Sequence, residues 1–137
     1  MTHPEKYDTY PAHKQPAIRV SMMPRDTNAL VTIFGGVILS YIDQAAAIEA
    51  HSLHPGKLVT VAMDEIEFKQ PVFVGDLVSL FVDVEHVGRT SIQVLVSVWA
   101  QRASDRDTCV RVTEASVTMV AVDELLKPVP VKHGPQR

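Results

Sequence analysis

The sequence predicts an α+β domain in which an antiparallel five-stranded sheet wraps around one long central helix. Three observations carry that prediction. Between Gly36 and Ala50 the residues Val37, Ile38, Leu39, Tyr41, Ile42, Ala45, Ala46, Ala47 and Ile48 leave almost no polar face, the pattern of a helix covered on all sides. After Gly56 the pattern changes to long alternating runs bounded by turn residues, as in consecutive hairpin strands. One helix cannot cover two faces of a sheet, so the economical solution curls the sheet around it.

In chain order, residues 1–17 are polar, carry Pro4, Pro11 and Pro16, and show no periodicity, so a flexible arm is expected before a domain spanning 18–131. IRVSMM alternates weakly up to Pro24 and predicts a short first strand, followed by a loop through PRDTN. Gly35 and Gly36 permit close backbone approach and open the helix with unpaired N–H groups at an electropositive end. Pro55 and Gly56 stop it. His51 and His54, three apart, fit the last helical turn against its negative end better than they fit metal ligands, and no metal site is expected.

LVTVAMDEIEF alternates, but its apolar phase slips between Met63 and Ile66, which predicts a bulge near Asp64 and Glu65. QPVFVGD makes a turn. LVSLFVDVEHV and TSIQVLVSVWAQR form a hairpin about Gly88 and Arg89, and SDRD turns the chain into the last strand, CVRVTEASVTMVAV. Residues 132–137 are expected to trail as a tail. Edge strands of about ten residues would be aggregation-prone if left open, so pairing into a dimer is expected.

Composition excludes several function classes. The 137 residues are 46% hydrophobic and 21% charged, ordinary values for one globular domain. A net charge of -3, a pI near 6.0 and scattered basic residues argue against nucleic acid as a partner. Ser40, Asp43, Gln44 and Glu49 interrupt the best apolar run well short of the ~20 residues a membrane span needs. The opening stretch lacks the apolar core of a signal peptide, and the single Cys109 rules out an internal disulfide, so a cytoplasmic location is expected. Cys109 itself sits in a strand-like run and reads as a packed residue, not a nucleophile.

Asp43 is the residue out of place. It lies too far into the helix to be an N-cap, and no Lys or Arg stands at helical spacing to pair with it. An unpartnered carboxylate in an apolar shell costs several kcal/mol, roughly, and persists where hydrogen bonds or function retain it.

The helix opening Phe34-Gly35-Gly36, with an acidic residue seven positions past Gly36, is followed by VTV, a P-V-x-V-G-D turn, a G-R-T-S turn and a V-A-V-D ending. This ordered set resembles the hotdog-fold acyl-CoA thioesterases, in particular their short bacterial single-domain branch, over about Met23 to Pro130. The resemblance implies hydrolysis of an acyl-CoA substrate without a cofactor, Asp43 as a catalytic residue and Asn28 as its active-site asparagine. It further implies substrate contacts from Phe34 and Gly35, and a coenzyme A tail lying along Gly88, Arg89, Thr90 and Ser91. Assembly into homodimers, grouped as a trimer of dimers, is implied as well. The chain departs from the family at Val31, where Gly is common, and at Leu30 and Thr32, where polar residues are common. Valine resists the positive φ that glycine accepts, so a different loop path is expected here. Gln70 and Met119 stand where Arg and an aromatic residue are expected, and neither takes a role.

Thioester hydrolysis needs an activated water or a nucleophile, and a donor aimed at the developing oxyanion. Asp43 suits the first task, as general base or as nucleophile, the Gly36 amide suits the second, and Thr60 is placed to hydrogen-bond Asp43. Gly36 and Asp43 are seven residues apart, roughly 10 Å along a helix, so one helix cannot serve one thioester with both. A site shared by two chains with antiparallel helices resolves this. Two other classes compete. A dehydratase acting on acyl thioesters wants a histidine paired with the acid, and none lies near Phe34-Gly35-Gly36. A non-catalytic acyl-CoA sensor wants a DNA-reading module, which the seventeen proline-broken residues before Ile18 cannot make.

Overall fold

In a computed structural model, described here for residues 9–64 and 66–132, the chain runs β1 (Ile18–Ser21), a single 3-10 turn (Pro24–Asp26), α1 (Gly35–Ala50), β2 (Lys57–Asp64), β3 (Leu77–Val87), β4 (Ser91–Gln101) and β5 (Cys109–Val122). The five strands form one sheet in the order β1-β3-β4-β5-β2, with every neighbouring pair antiparallel. One face of that sheet carries α1. The strand alternation supplies the core: Val78, Leu80 and Val82 of β3 and Ile92, Val94, Val96 and Val98 of β4 meet Ile38, Ile42, Ala45 and Ala46 of the helix. The small alanines let the helix lie close, and truncating a fully buried side chain such as Ile42 to alanine would cost about 2–5 kcal/mol.

The helix is not wrapped on all sides within one chain. Gly36, Ser40, Gln44 and Ile48, spaced by one turn, form an exposed stripe opposite the buried one. Within that stripe Ser40 and Gln44 are polar, and Ile48 is the large apolar side chain left exposed. The edge strands are also shorter than expected: β1 has four residues and β2 has eight. The expected bulge falls three residues earlier, at Val61, where the β2–β5 register slips between Thr60 and Ala62; Asp64 pairs regularly with Ser116, and Glu65 lies outside the described residues. Leu58 and Thr60 pair with Ala121 and Met119 before the slip, and the slip brings Met63 opposite Val117, on the same helix side of the sheet.

The described part of the N-terminal segment is tied to the other face. Tyr10 packs edge-on against Phe81 and Trp99, its hydroxyl accepts from Arg19 at 2.6 Å, and Lys14 pairs with Asp83. The hairpin about Gly88 forms as expected, with Gly88 N–H donating to the Ser91 carbonyl at 2.8 Å. The last turn before β5 is held by Asp105, whose carboxylate accepts from the Thr108 hydroxyl and the Asp107 amide, bonds that hold it below the ordinary carboxylate range.

One buried ion pair positions the approach to the helix. Asp76 accepts from Arg102 at 2.7 Å, from Phe73 N–H at 2.9 Å and from Ala103 N–H at 3.1 Å, which locks the turn containing Gly75 at φ 89°. Its neighbour Val72 then receives Ile33 N–H at 2.8 Å, fixing the residue before Phe34.

Candidate active site

The loop into α1 is a tight hairpin closed by the Thr27–Ile33 bridge. Asn28 organises it from inside. Its side-chain oxygen accepts from Leu30 N–H at 2.8 Å and Thr32 N–H at 3.3 Å, its amide donates to the Thr32 hydroxyl at 3.0 Å, and its N–H reaches the Thr32 carbonyl at 2.8 Å. Held this way, Val31 sits at φ 65°. The expected different path is thus corrected: the loop takes the glycine-like conformation with a β-branched residue in it. Such strain costs about 1–3 kcal/mol and persists where the surroundings over-determine the backbone. Leu30 and Val31 consequently stand 82% and 70% exposed at the loop tip.

Phe34 caps the helix without a side-chain bond, and the first turn carries no acidic residue to offset the positive end. Phe34 N–H is spent on the Asp26 carbonyl and Val37 N–H on Phe34 itself, which leaves the Gly35 and Gly36 amides at the tip. Gly36 is the tighter of the two positions, and Gly35 has ordinary room. A Cβ on Gly36 would lie 2.8 Å from the Phe34 ring, and one on Gly35 would touch the Phe68 ring at 3.6 Å. Phe68 went unnoticed in the sequence, because a lone aromatic beyond the end of β2 carries no periodic signal.

Two turns along the helix, Asp43 is half-buried and accepts from the Thr60 hydroxyl of β2 at 2.5 Å through Oδ1. Thr60 faces Asp43 because it alternates with Leu58 on the inner face, in the regular register that precedes the Val61 bulge. The Oδ2 oxygen is left for other chemistry. His51 and His54 lie beyond the opposite end of α1, and Cys109 begins β5 with its thiol pushed up by burial, against the downward pull of Arg19.

The Gly88–Arg89–Thr90–Ser91 turn lies across the sheet from Thr60. Thr60 pairs with Met119 and Met119 with Ile92, two ladder steps of about 4.8 Å each. Asp43 with Thr60, and Phe34 with Gly35 and Gly36, are therefore each brought together, whereas Gly36 and Asp43 remain apart on one helix.

A family model for the Thioesterase superfamily matches residues 31–105. The chain is similar to the acyl-CoA thioester hydrolase YciA of Salmonella typhimurium, 38% identical over 116 residues that cover 83% of this chain and 87% of that protein. It is similar in structure to a hexameric hotdog fold thioesterase of Campylobacter jejuni, with TM-score 0.81 and 46% identity over 86% of this chain and 90% of the other. An acyl-CoA hydrolase of Staphylococcus aureus, solved with butyryl coenzyme A, gives TM-score 0.75 and 28% identity over 85% and 70%. With this sheet, this single helix and these relatives, the class is that of thioester-hydrolysing enzymes. Within it, the chain belongs to the hotdog-fold acyl-CoA thioesterase family.

Proposed function

We propose that the protein hydrolyses acyl-CoA to the free acid and coenzyme A at composite sites shared by two subunits. The observation that carries the reading is the Thr60–Asp43 contact, which fixes one carboxylate oxygen and leaves the other for water. As general base, Asp43 takes a proton from water as the oxygen adds to the carbonyl; as nucleophile, it adds itself and water opens the resulting mixed anhydride. In either case the oxyanion is met by the Gly36 amide at the uncapped helix start, a donor typically worth roughly 3 kcal/mol, and the coenzyme A sulfur leaves. Asn28 supports the site from the Gly36 side, through the loop that presents that amide.

Gly36 and Asp43 stand roughly 10 Å apart, so the two halves come from different chains. What supports the dimer is an open β2 edge together with the exposed apolar side chains of Val61 and Ile48, which a second copy covers. Three such dimers make the hexamer described for the relatives. The acyl chain lies against the apolar residues around Phe34, and the coenzyme A tail lies along Gly88–Ser91.

Two measurements test this. Release of free thiol across acyl-CoAs from acetyl to palmitoyl tests the reaction; no release from any of them ends the proposal. Co-expression of Asn28→Ala and Asp43→Asn chains under different tags tests the sharing. A purified mixed dimer recovering about half of wild-type activity supports composite sites, since one site then carries both lesions and the other neither. A dead mixed dimer from inactive parents refutes them.

A further inference from the structure

Beyond β5 the chain doubles back through a turn built on Asp123, whose N–H reaches the Lys127 carbonyl and whose Oδ1 accepts from Leu125 and Lys127 N–H at 2.8 and 3.0 Å. Residues 128–132 then form a strap across the sheet end. Pro128 and Pro130 have no N–H, so the strap owns three amide donors, and each is spent on a different part of the molecule. Val129 donates to the Ala121 carbonyl of β5 at 2.8 Å, Val131 to the Arg89 carbonyl at 2.8 Å, and Lys132 to His54 Nδ1 at 3.2 Å. Val131 is buried in the core between the last two bonds.

His54 is built to receive the strap's end. It is buried just past α1, and its ring lies so close over Gly56 that a Cβ there would be 2.8 Å from Nε2. Glycine at position 56 leaves the space that the ring occupies. Accepting an amide at Nδ1 leaves that nitrogen without a proton and assigns the neutral tautomer's hydrogen to Nε2. On the other side of the strap, the Arg89 and Thr90 carbonyls are both turned inward, to Val131 and to Ala121 N–H, while the Arg89 side chain is exposed.

We propose that His54 is a positioning residue for coenzyme A: by anchoring Lys132 it holds the strap, and through Val131 the strap sets the Arg89 turn. This rests on the reading of that turn as the seat of the coenzyme A tail. The link joins the chemically silent end of α1 to substrate binding across 78 residues of sequence.

The test compares acyl-CoA with the same acyl thioester of N-acetylcysteamine, which keeps the reacting bond and drops the nucleotide. His54→Leu removes the acceptor and should raise KM for acyl-CoA about fivefold, the loss of roughly one hydrogen bond, with kcat unchanged. KM for the truncated thioester should not move. His54→Asn, which restores an acceptor, should recover most of the loss, and Val131→Pro, which removes the donor to Arg89 while leaving His54 intact, should reproduce it. Equal effects on both substrates, or none on either in these variants, would overturn the proposal. Arg89→Ala separates the two levels of the argument. If it raises KM for acyl-CoA while the His54 and Val131 variants do not, the positioning role fails; if it has no effect, the seat is elsewhere and the proposal falls with it.

Discussion

At its N-terminal end α1 leaves a strained hairpin with Val31 in left-handed backbone, no capping side chain and the Gly36 amide in the open, whereas at its C-terminal end the amides of four successive residues, His51 to His54, bond back to the helix. There His51 and His54 N–H bond back to Ala47 and Ala50, Leu53 is fully buried, and the His54 ring receives the strap. Both ends belong to the same sixteen-residue helix. The difference shows where the chain has kept polar groups unsatisfied. An uncapped helix start beside a strained loop is what the proposed site needs in order to receive a ligand. The bonded end holds the frame in which that start has a fixed direction.

The largest effect should come from the acid between these ends. Asp43→Asn keeps the size and loses the basicity, so turnover should fall roughly 10²- to 10⁴-fold with little change in melting temperature or in binding of a slowly hydrolysed acyl-CoA analogue. Wild-type turnover in this variant would place the chemistry elsewhere. Thr60→Val comes next. Removing a hydrogen bond to a charged group should lower kcat roughly tenfold, and Thr60→Ser should restore it. If Val and Ser variants behave alike, Thr60 only packs.

How far these features were legible in the sequence follows from what holds each one. The sheet and helix were readable because alternation and the apolar run of 37–48 are set by burial, which composition records directly. Asp43 was readable because a lone carboxylate breaks such a run. The position of the bulge was not, because Thr60 is a polar residue on the inner face, and its presence disguises the phase of β2. The short edges were not either, since the alternating runs continue past the residues that pair. Val31 was misjudged for another reason. Its own preference is against positive φ, but Asn28, the Thr27–Ile33 bridge and the Val72 carbonyl together outweigh it.

That misjudgment gives a sharper form of the comparison, because the C-terminal region has its own left-handed residue, Leu126 at φ 64° in the Asp123 turn. Glycine removes the steric cost at either position and adds unfolded-state freedom, so each substitution should gain at most about 1 kcal/mol in denaturant unfolding. Val31→Gly should gain more than Leu126→Gly, since β-branching makes the left-handed region worse. Only Val31→Gly should also alter relative rates across acyl chain lengths, because only that loop presents the Gly36 end. A Leu126→Gly enzyme with a changed chain-length profile would contradict the division of labour between the two ends.

The smallest effect is expected at Cys109, which belongs to neither end and serves as the zero of the comparison. It begins β5 paired with Gln101, and burial pushes its thiol up, with Asp107 adding to the rise and Arg19 opposing it. A raised pKa keeps the thiol protonated through neutral pH, so alkylation should be slow there and accelerate only at a higher pH than for a free thiol. The linkage runs the same way: the folded chain holds this proton more tightly, so its contribution to stability is full below the ordinary thiol pKa and fades as pH rises through the raised one. Cys109→Ser should therefore leave kcat and KM unchanged at neutral pH and slightly flatten the alkaline side of the stability profile. A correctly assembled Cys109→Ser protein without activity would instead identify a thiol nucleophile and remove Asp43 from the centre of the mechanism.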